Sequence, residues 1–107
     1  MIARPIDERR AARRDIEDAV DHYLREGGAS AATGFVDALE SAYLQISTYP
    51  DSGALRYAET ARVADLRCWT LRRYPYVVFY LEVAGRIDVV RVLHGRSDIP
   101  SWLGPVE

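Results

Sequence analysis

The sequence predicts a single α+β domain in which a helical hairpin packs on one face of a small, mainly antiparallel sheet, in the order β-α-α-β-β-β. Two observations support this class. Apolar residues recur with helical spacing over residues 7–49, and a Gly-Gly pair interrupts them. Residues 66–94 then hold three runs rich in Val, Ile, Phe, Tyr and Trp, which are the residue types that favour strands. A length of 107 residues fits one domain.

The N-terminal half supplies a short strand and the two helices. Residues 1–6 are predicted as an edge strand and residues 7–26 as the first helix, with Asp7 as its N-cap. The Gly27-Gly28 pair ends this helix. Ser30 caps the second helix, which is predicted to run to about Tyr49, and Pro50 stops it. Because a Gly-containing linker joins the two helices, they are predicted to form an αα-hairpin.

The C-terminal half supplies the other three strands, predicted at residues 66–72, 75–83 and 86–94. Pro75 separates the first two strands because it lacks the N–H that a ladder needs. The Ala84-Gly85 pair forms a tight turn between the last two. The segment after residue 98 is too short and too broken for a long helix, so we expect Trp102 and Leu103 to fold back on the sheet.

The register of the last hairpin predicts which side chains share a face. If residues 84 and 85 form the turn, Val83 faces Arg86, and the pairing ends with Tyr76 opposite Leu93. Strict alternation then gives one face the apolar set Val77, Phe79, Val90 and Val92. The other face carries Tyr76, Val78, Tyr80, Val89, Arg91 and Leu93.

Both faces are apolar, so both need to be covered. We expect Phe35, Leu39 and Tyr43 of the second helix to pack on the face that carries Val77 and Phe79. The opposite face is then open. Apolar strand residues interleaved with an arginine suit a groove that receives an amphipathic peptide.

Composition narrows the class of function. The net charge is -2 and argues against a dedicated nucleic-acid binder, although all 14 basic residues are Arg. Cys68 is the single cysteine, so neither a disulfide framework nor a thiolate metal site is expected. No metal and no cofactor is predicted. The charged N-terminus does not resemble a signal peptide and no apolar run approaches the length of a membrane span, which predicts a cytoplasmic protein without a membrane partner.

Three short motifs follow one another along the chain. Residues 50–53, PDSG, match a P-x-x-G that follows a second helix. Residues 74–80, YPYVVFY, match a strand of the form F/Y-P-Y-x-x-x-Y. Residues 91–98, RVLHGRSD, are similar to the ending R-V-L-H-G-x-R-D. In this order the motifs resemble the RelE/ParE toxin superfamily, and the last one resembles its ParE-type members.

The resemblance implies the toxin of a type II toxin–antitoxin module, of the kind associated with plasmid stabilization. Its implied partner is a ParD-like antitoxin, which we expect on the open face formed by Tyr76, Val78, Tyr80, Val89, Arg91 and Leu93. Its implied target is DNA gyrase, poisoned so that cleaved DNA persists, while direct nucleic-acid binding is not expected. The candidate target-binding residues are Arg91, His94, Arg96 and Trp102.

Two alternatives stay open. The RelE branch cuts mRNA on the ribosome, a reaction that needs proton carriers and cations to stabilise developing charge. Arg91, Arg96 and Tyr80 are the residues that could carry it here. Against this, the chain has no Lys, Trp102 stands where RelE members tend to have tyrosine, and alternation places His94 on the face opposite Arg91. The other alternative is a degenerate module member with no target left.

Overall fold

A computed structural model describes residues 3–97 and 99–103 and has the predicted α+β class. Its elements are β1 Ile6–Glu8, α1 Arg10–Thr48, a 3-10 turn Pro50–Ser52, α2 Ala58–Ala61, β2 Arg67–Thr70, β3 Tyr76–Val83, β4 Arg86–His94 and α3 Ile99–Leu103. The four strands form one sheet in the order β1-β4-β3-β2. The edge strand β1 is parallel to β4, and the other neighbours are antiparallel.

The helical hairpin is built from α1, which is broken at one residue. Gly28 has φ 80° and ψ -174°, a conformation that glycine adopts because it has no Cβ. The rings of Tyr23 and Phe35 lie on opposite sides of this break with their centroids 5.6 Å apart. A straight helix would separate residues twelve apart by about 18 Å. The chain therefore folds back at Gly28, and α1 has a first arm, residues 10–27, and a second arm, residues 29–48.

The start of the chain differs from the prediction. The strand lies at Ile6–Glu8, later than residues 1–6, of which residues 1 and 2 lie outside the described residues. Asp7 is not the N-cap of α1. Its carboxylate accepts two hydrogen bonds from Arg86, and Arg9 occupies the N-cap position without a side-chain cap. The side chain that the local sequence assigned to the helix N-cap, Asp7, therefore pairs with Arg86 of the neighbouring strand instead.

The predicted hairpin register is correct for half of its length. Ala84 and Gly85 form the turn with φ 53° and 77°, and the pairs run from Val83 with Arg86 to Tyr80 with Val89. A β-bulge then shifts the register by one residue between Phe79 and Tyr80. Beyond it, the predicted pairing is wrong, because the bulge adds one residue to β4.

The bulge changes which side chains share a face. Tyr76, Val78, Tyr80, Val89 and Val92 point towards α1, on the side we call the inner face. Val77, Phe79, Val90 and Leu93 point away from α1, on the outer face. Val92 and Leu93 have therefore exchanged faces relative to strict alternation.

The prediction of an open sheet face is wrong, because the chain covers both faces. Phe35 and Leu39 pack on the inner face, which was expected to be open, rather than on the face of Val77 and Phe79. The outer face lies under three short segments of the chain itself. Their buried residues are Ala58, Ala61, Leu66, Ile99 and Leu103.

The C-terminal segment folds back as predicted, with one difference. Leu103 is buried against the outer face, whereas Trp102 is 57% exposed. Asp98, the last residue of the third motif, lies outside the described residues. Among the helices described, none combines the length and the apolar character needed to cross a bilayer.

Candidate functional site

A cleft with a volume of about 730 Å³ lies between the first arm of α1, the C-terminal half of β4 and α3. Its lining combines apolar and charged residues. The helix contributes Asp15, Asp18 and His22 to the lining. The sheet and the C-terminal segment contribute Tyr76, Arg91, Val92, Leu93, His94, Ser97 and Trp102.

Arg91 is the central polar residue of this cleft, and it is already paired. Its Nε and Nη2 donate to the two carboxylate oxygens of Asp15 at 2.7 and 2.8 Å. Its Nη1 donates to the Trp102 carbonyl at 3.1 Å, and its guanidinium lies 5.4 Å from the centroid of the Trp102 ring. The hydrogen bond to Asp15 raises the pKa of Arg91 above its ordinary value. Arg91 therefore links α1, β4 and α3.

Asp15 has a second role in the same contact. Its Oδ2 also accepts the backbone N–H of Val92 at 2.9 Å, next to the bulge in β4. The side chains of Arg91 and Asp15 are 18% and 13% exposed, so the pair is shielded from water. A phosphate would have to displace this carboxylate to use the guanidinium. The arrangement is that of a structural ion pair at the rim of a binding surface.

His94 and Arg91 both line the cleft, although the alternation of β4 places their side chains on opposite faces of the sheet. Both residues follow the bulge, which pairs Arg91 with Phe79 of the outer face, and the guanidinium of Arg91 reaches the cleft through its contact with Asp15 of α1. The His94 ring packs edge-to-face on Tyr76 at 5.2 Å, and its Nδ1 accepts the backbone N–H of Arg96 at 3.0 Å. His94 is thus half-buried and oriented by two neighbours.

The structure brings most of the candidate target-binding residues together. Arg91, His94 and Trp102 line the cleft. Arg96 is exposed in the turn that follows β4 and is not among the cleft-lining residues. The large exposed ring of Trp102 at the rim is the kind of residue that anchors protein–protein contacts.

The candidate antitoxin-binding residues occupy two different environments. Val78, Tyr80 and Val89 are 0% exposed beneath α1, so the prediction that they form an open groove is wrong. The two arms of α1 pack on this face, and the bulge adds Val92 to it. Tyr76, Arg91 and Leu93 reach the cleft lining.

The residues of the nuclease alternative do not converge. The hydroxyl of Tyr80 donates to the Pro50 carbonyl at 2.7 Å and accepts the N–H of Gly53 at 3.0 Å. Burial raises the pKa of Tyr80, and its ring fills the space beside Gly53. Arg91 is held by Asp15 in the cleft, and Arg96 is exposed outside it. Tyr80 is a structural residue that fastens the P-x-x-G turn.

Asp15, Asp18 and His22 were missed by reasoning from the sequence, because a run of charged residues on a helix favours a solvated face. Their spacing of three and four residues was the available signal, since it places them on one face of the helix next to Ala11 and Ala19. Within residues 3–97 and 99–103, no group of three or more His, Cys, Asp or Glu side chains could hold a metal ion.

Comparisons with known proteins identify the family of this chain and support its fold. Residues 7–99 match the family model described as the ParE toxin of the type II toxin–antitoxin system parDE. The structure is similar to a chain of the chromosomal ParDE toxin–antitoxin system from P. aeruginosa, with a TM-score of 0.71 and 23% sequence identity, over 86% of this chain and 96% of that chain. No curated protein sequence matches.

Proposed function

The chain belongs to the ParE toxin family of type II toxin–antitoxin systems, and from that membership we propose that it poisons DNA gyrase and is neutralised by a ParD-like antitoxin. The gyrase target is what the ParE-type motif implies. The observation that supports it in this chain is the cleft at the end of β4. That cleft presents His94 and the exposed Trp102 while Arg91 is already bound by Asp15.

A surface of this kind is suited to binding rather than to cutting a phosphodiester. Cleavage of RNA needs an unpaired cation and a proton carrier in one site. Of the residues considered for that chemistry, Arg91 is bound by Asp15 at 2.7 Å and Tyr80 is buried elsewhere. Inhibition by binding needs only an exposed anchor with defined neighbours, which Trp102 and His94 supply.

The same cleft is the proposed docking surface for the antitoxin. Its volume of about 730 Å³ and its mixture of apolar and charged lining residues fit an amphipathic segment. The similar chain from P. aeruginosa is part of a ParDE system, which supports a ParD-like partner here. An antitoxin in this cleft covers His94 and Trp102, so neutralisation follows from occlusion of the target-binding surface.

Supercoiling and DNA-cleavage assays with purified gyrase test the target. The toxin is expected to inhibit supercoiling and to accumulate cleaved DNA. Trp102→Ala is expected to raise the concentration needed for half-maximal inhibition about tenfold or more. The matched control is Leu44→Ala, since Leu44 is also a large exposed apolar residue, at 66% exposure, but lies on the second arm of α1. Codon-phased mRNA cuts that precede DNA breaks in intoxicated cells would favour the nuclease instead.

Calorimetric titration with the antitoxin tests the docking surface. Ala11 lies at the cleft and is exposed, so Ala11→Trp fills the cleft without opening the core. We expect this variant to lose antitoxin affinity, whereas Ala29→Trp, at an exposed alanine that begins the second arm, leaves it unchanged. Unchanged affinity in Ala11→Trp contradicts docking in the cleft.

A further inference from the structure

The two ends of the sheet differ in how their arginines are paired. At the end that carries the β3–β4 turn, each of three arginines contacts a carboxylate. The pairs are Arg4 with Glu82, Arg9 with Asp88 at 2.7 Å and Arg86 with Asp7 at 2.7 Å. Positive charge at this end is balanced within the chain.

The opposite end also carries three arginines, on two turns. One turn, residues 71–75, joins β2 to β3 and is closed by the N–H of Leu71 donating to the Tyr76 carbonyl at 2.9 Å. The other, residues 95–97, follows β4. The two turns are neighbours, because the N–H of Gly95 donates to the Pro75 carbonyl at 2.7 Å. We call this surface the basic end; its arginines are Arg72, Arg73 and Arg96.

These arginines are exposed, and none of them forms an ion pair with a carboxylate of the described residues. Within the described ranges, no carboxylate lies within 4.0 Å of the guanidinium of Arg72, Arg73 or Arg96. Like charges on adjacent turns repel each other in the free protein. A bound polyanion relieves this repulsion, and the guanidinium fork matches the oxygens of a phosphate.

The backbone that carries this surface is fixed. Arg73 has φ 67°, a left-handed conformation that is uncommon for a residue with a side chain. The next residue, Tyr74, donates its hydroxyl to the Ala31 carbonyl at 3.0 Å and packs edge-to-face on Tyr23 at 5.1 Å. The first turn is thus anchored to both arms of α1. A fixed turn presents its arginines with little loss of freedom on binding.

We propose that the basic end binds the phosphate backbone of duplex DNA. The inference rests on the proposed function in one respect: a toxin that acts on gyrase meets the duplex that gyrase holds. The net charge of -2 made direct nucleic-acid binding unexpected, but net charge does not describe a local surface on which three exposed arginines lie on neighbouring turns. We expect an acidic protein with one basic end to bind free DNA weakly. Its affinity for the duplex increases when gyrase binds the toxin and the DNA at the same time.

The first experiment measures binding of the toxin to a fluorescently labelled duplex by anisotropy, at several salt concentrations and without gyrase. We expect Arg72→Gln, Arg73→Gln and Arg96→Gln combined to weaken binding about tenfold or more at low salt. The slope of log affinity against log salt should become shallower by roughly 0.9 for each phosphate that the variant no longer neutralises.

The matched control changes charge equally at other sites. Arg10, Arg56 and Arg62 are exposed and have no carboxylate within 4.0 Å among the described residues, and Arg62 has φ 59°, close to that of Arg73. Their combined change to Gln is expected to alter the affinity by less than about twofold. Equal losses in the two triple variants overturn the proposal, as does tighter binding of a single-stranded RNA of the same length.

The second experiment separates this inference from the proposed function. The double variant Arg72→Gln with Arg73→Gln, which keeps the candidate target-binding residue Arg96, is compared with the wild type in gyrase binding without DNA and in gyrase-dependent DNA cleavage. We expect the first to be retained and the second to fall. One outcome is that gyrase is unaffected by the toxin while duplex binding is lost in the triple variant of Arg72, Arg73 and Arg96 and kept in the control variant. In that case the proposed function fails and this inference stands. If the variants of these arginines keep both gyrase-dependent DNA cleavage and duplex binding at the wild-type level, the inference is overturned while gyrase poisoning stands. The single variants Arg72→Gln and Arg73→Gln give the same test if the combined variants do not fold.

Discussion

The two faces of the sheet are buried to the same depth but are covered by different kinds of structure. Val78 and Tyr80 on the inner face and Phe79 on the outer face are all 0% exposed. The inner face lies under the two helical arms of α1, residues 10–27 and 29–48. The outer face lies under a helix of four residues, a helix of five residues and the loop before β2. Equal burial therefore does not mean equal resistance to opening.

The different lengths of the covering segments indicate where local unfolding is to be expected. Short segments with few apolar anchors open at a lower free energy than the core they protect. Ile99 and Leu103 are the buried anchors of α3, whereas the second arm of α1 buries residues from Ala32 to Ser47. We expect the outer cover to be the less stable part of the fold.

The largest expected effect compares one phenylalanine from each face. Phe35 and Phe79 are both 0% exposed, and each packs against aromatic rings. Either change to Ala is expected to cost about 3–5 kcal/mol in the free energy of unfolding, with Phe35→Ala at the upper end. The reason is that short segments can collapse into the cavity left by Phe79 more readily than two helical arms can at Phe35. Chemical denaturation measures both. A larger cost for Phe79→Ala, or one below about 1 kcal/mol, contradicts the comparison.

The second prediction concerns the ion pair that joins the two covers. Asp15→Ala is expected to cost about 2–4 kcal/mol, because it leaves the guanidinium of Arg91 and the N–H of Val92 without their carboxylate. It should also speed amide exchange in α3, since Arg91 holds the Trp102 carbonyl. A double-mutant cycle with Arg91→Ala measures the coupling. If the losses of stability in Asp15→Ala and Arg91→Ala simply add in the double variant, the two side chains are not coupled and do not link α1 to α3.

A smaller effect is expected from one hydroxyl on the inner face. Tyr80→Phe keeps the ring but leaves the Pro50 carbonyl and the Gly53 N–H without their buried partner. The cost should be about 1–3 kcal/mol by thermal or chemical denaturation. Tyr49→Phe is the control because Tyr49 is 52% exposed, and its change should stay within about 0.5 kcal/mol. If both variants behave alike, the hydroxyl of Tyr80 does not fasten the turn.

The smallest effect is expected at an exposed ion pair on the edge of the sheet. The hydrogen bond from Arg86 lowers the pKa of Asp7 below its ordinary value of 3.8. Because the folded pKa is the lower one, the contribution to stability is fully present above pH 3.8 and is lost as the pH falls through the folded pKa. Asp7→Asn should leave the denaturation midpoint at pH 7 nearly unchanged, since both side chains are half exposed. A large loss at pH 7 indicates that β1 depends on this pair.

Local patterns in the sequence determined the elements and their order. The Gly27-Gly28 pair predicts the reversal of the helical hairpin, and Gly28 has the positive φ that makes it. The Ala84-Gly85 turn predicts the register next to it, and the strand at Arg86–His94 has the predicted bounds. These features depend on neighbours a few residues apart, so a single sequence contains the information.

Only the tertiary structure decided which face of the sheet is inner and which residues share the cleft. Both faces are apolar, so their composition could not choose between them. The bulge beside Tyr80 exchanges the faces of Val92 and Leu93, and the packing of α1 and α3 around β4 brings Arg91 and His94 into one cleft. The partner of Arg91 is Asp15, which lies 76 positions away in the chain. Periodicity reports on the faces of one element, whereas a bulge and a distant carboxylate are set by how whole elements pack, and that packing forms the cleft.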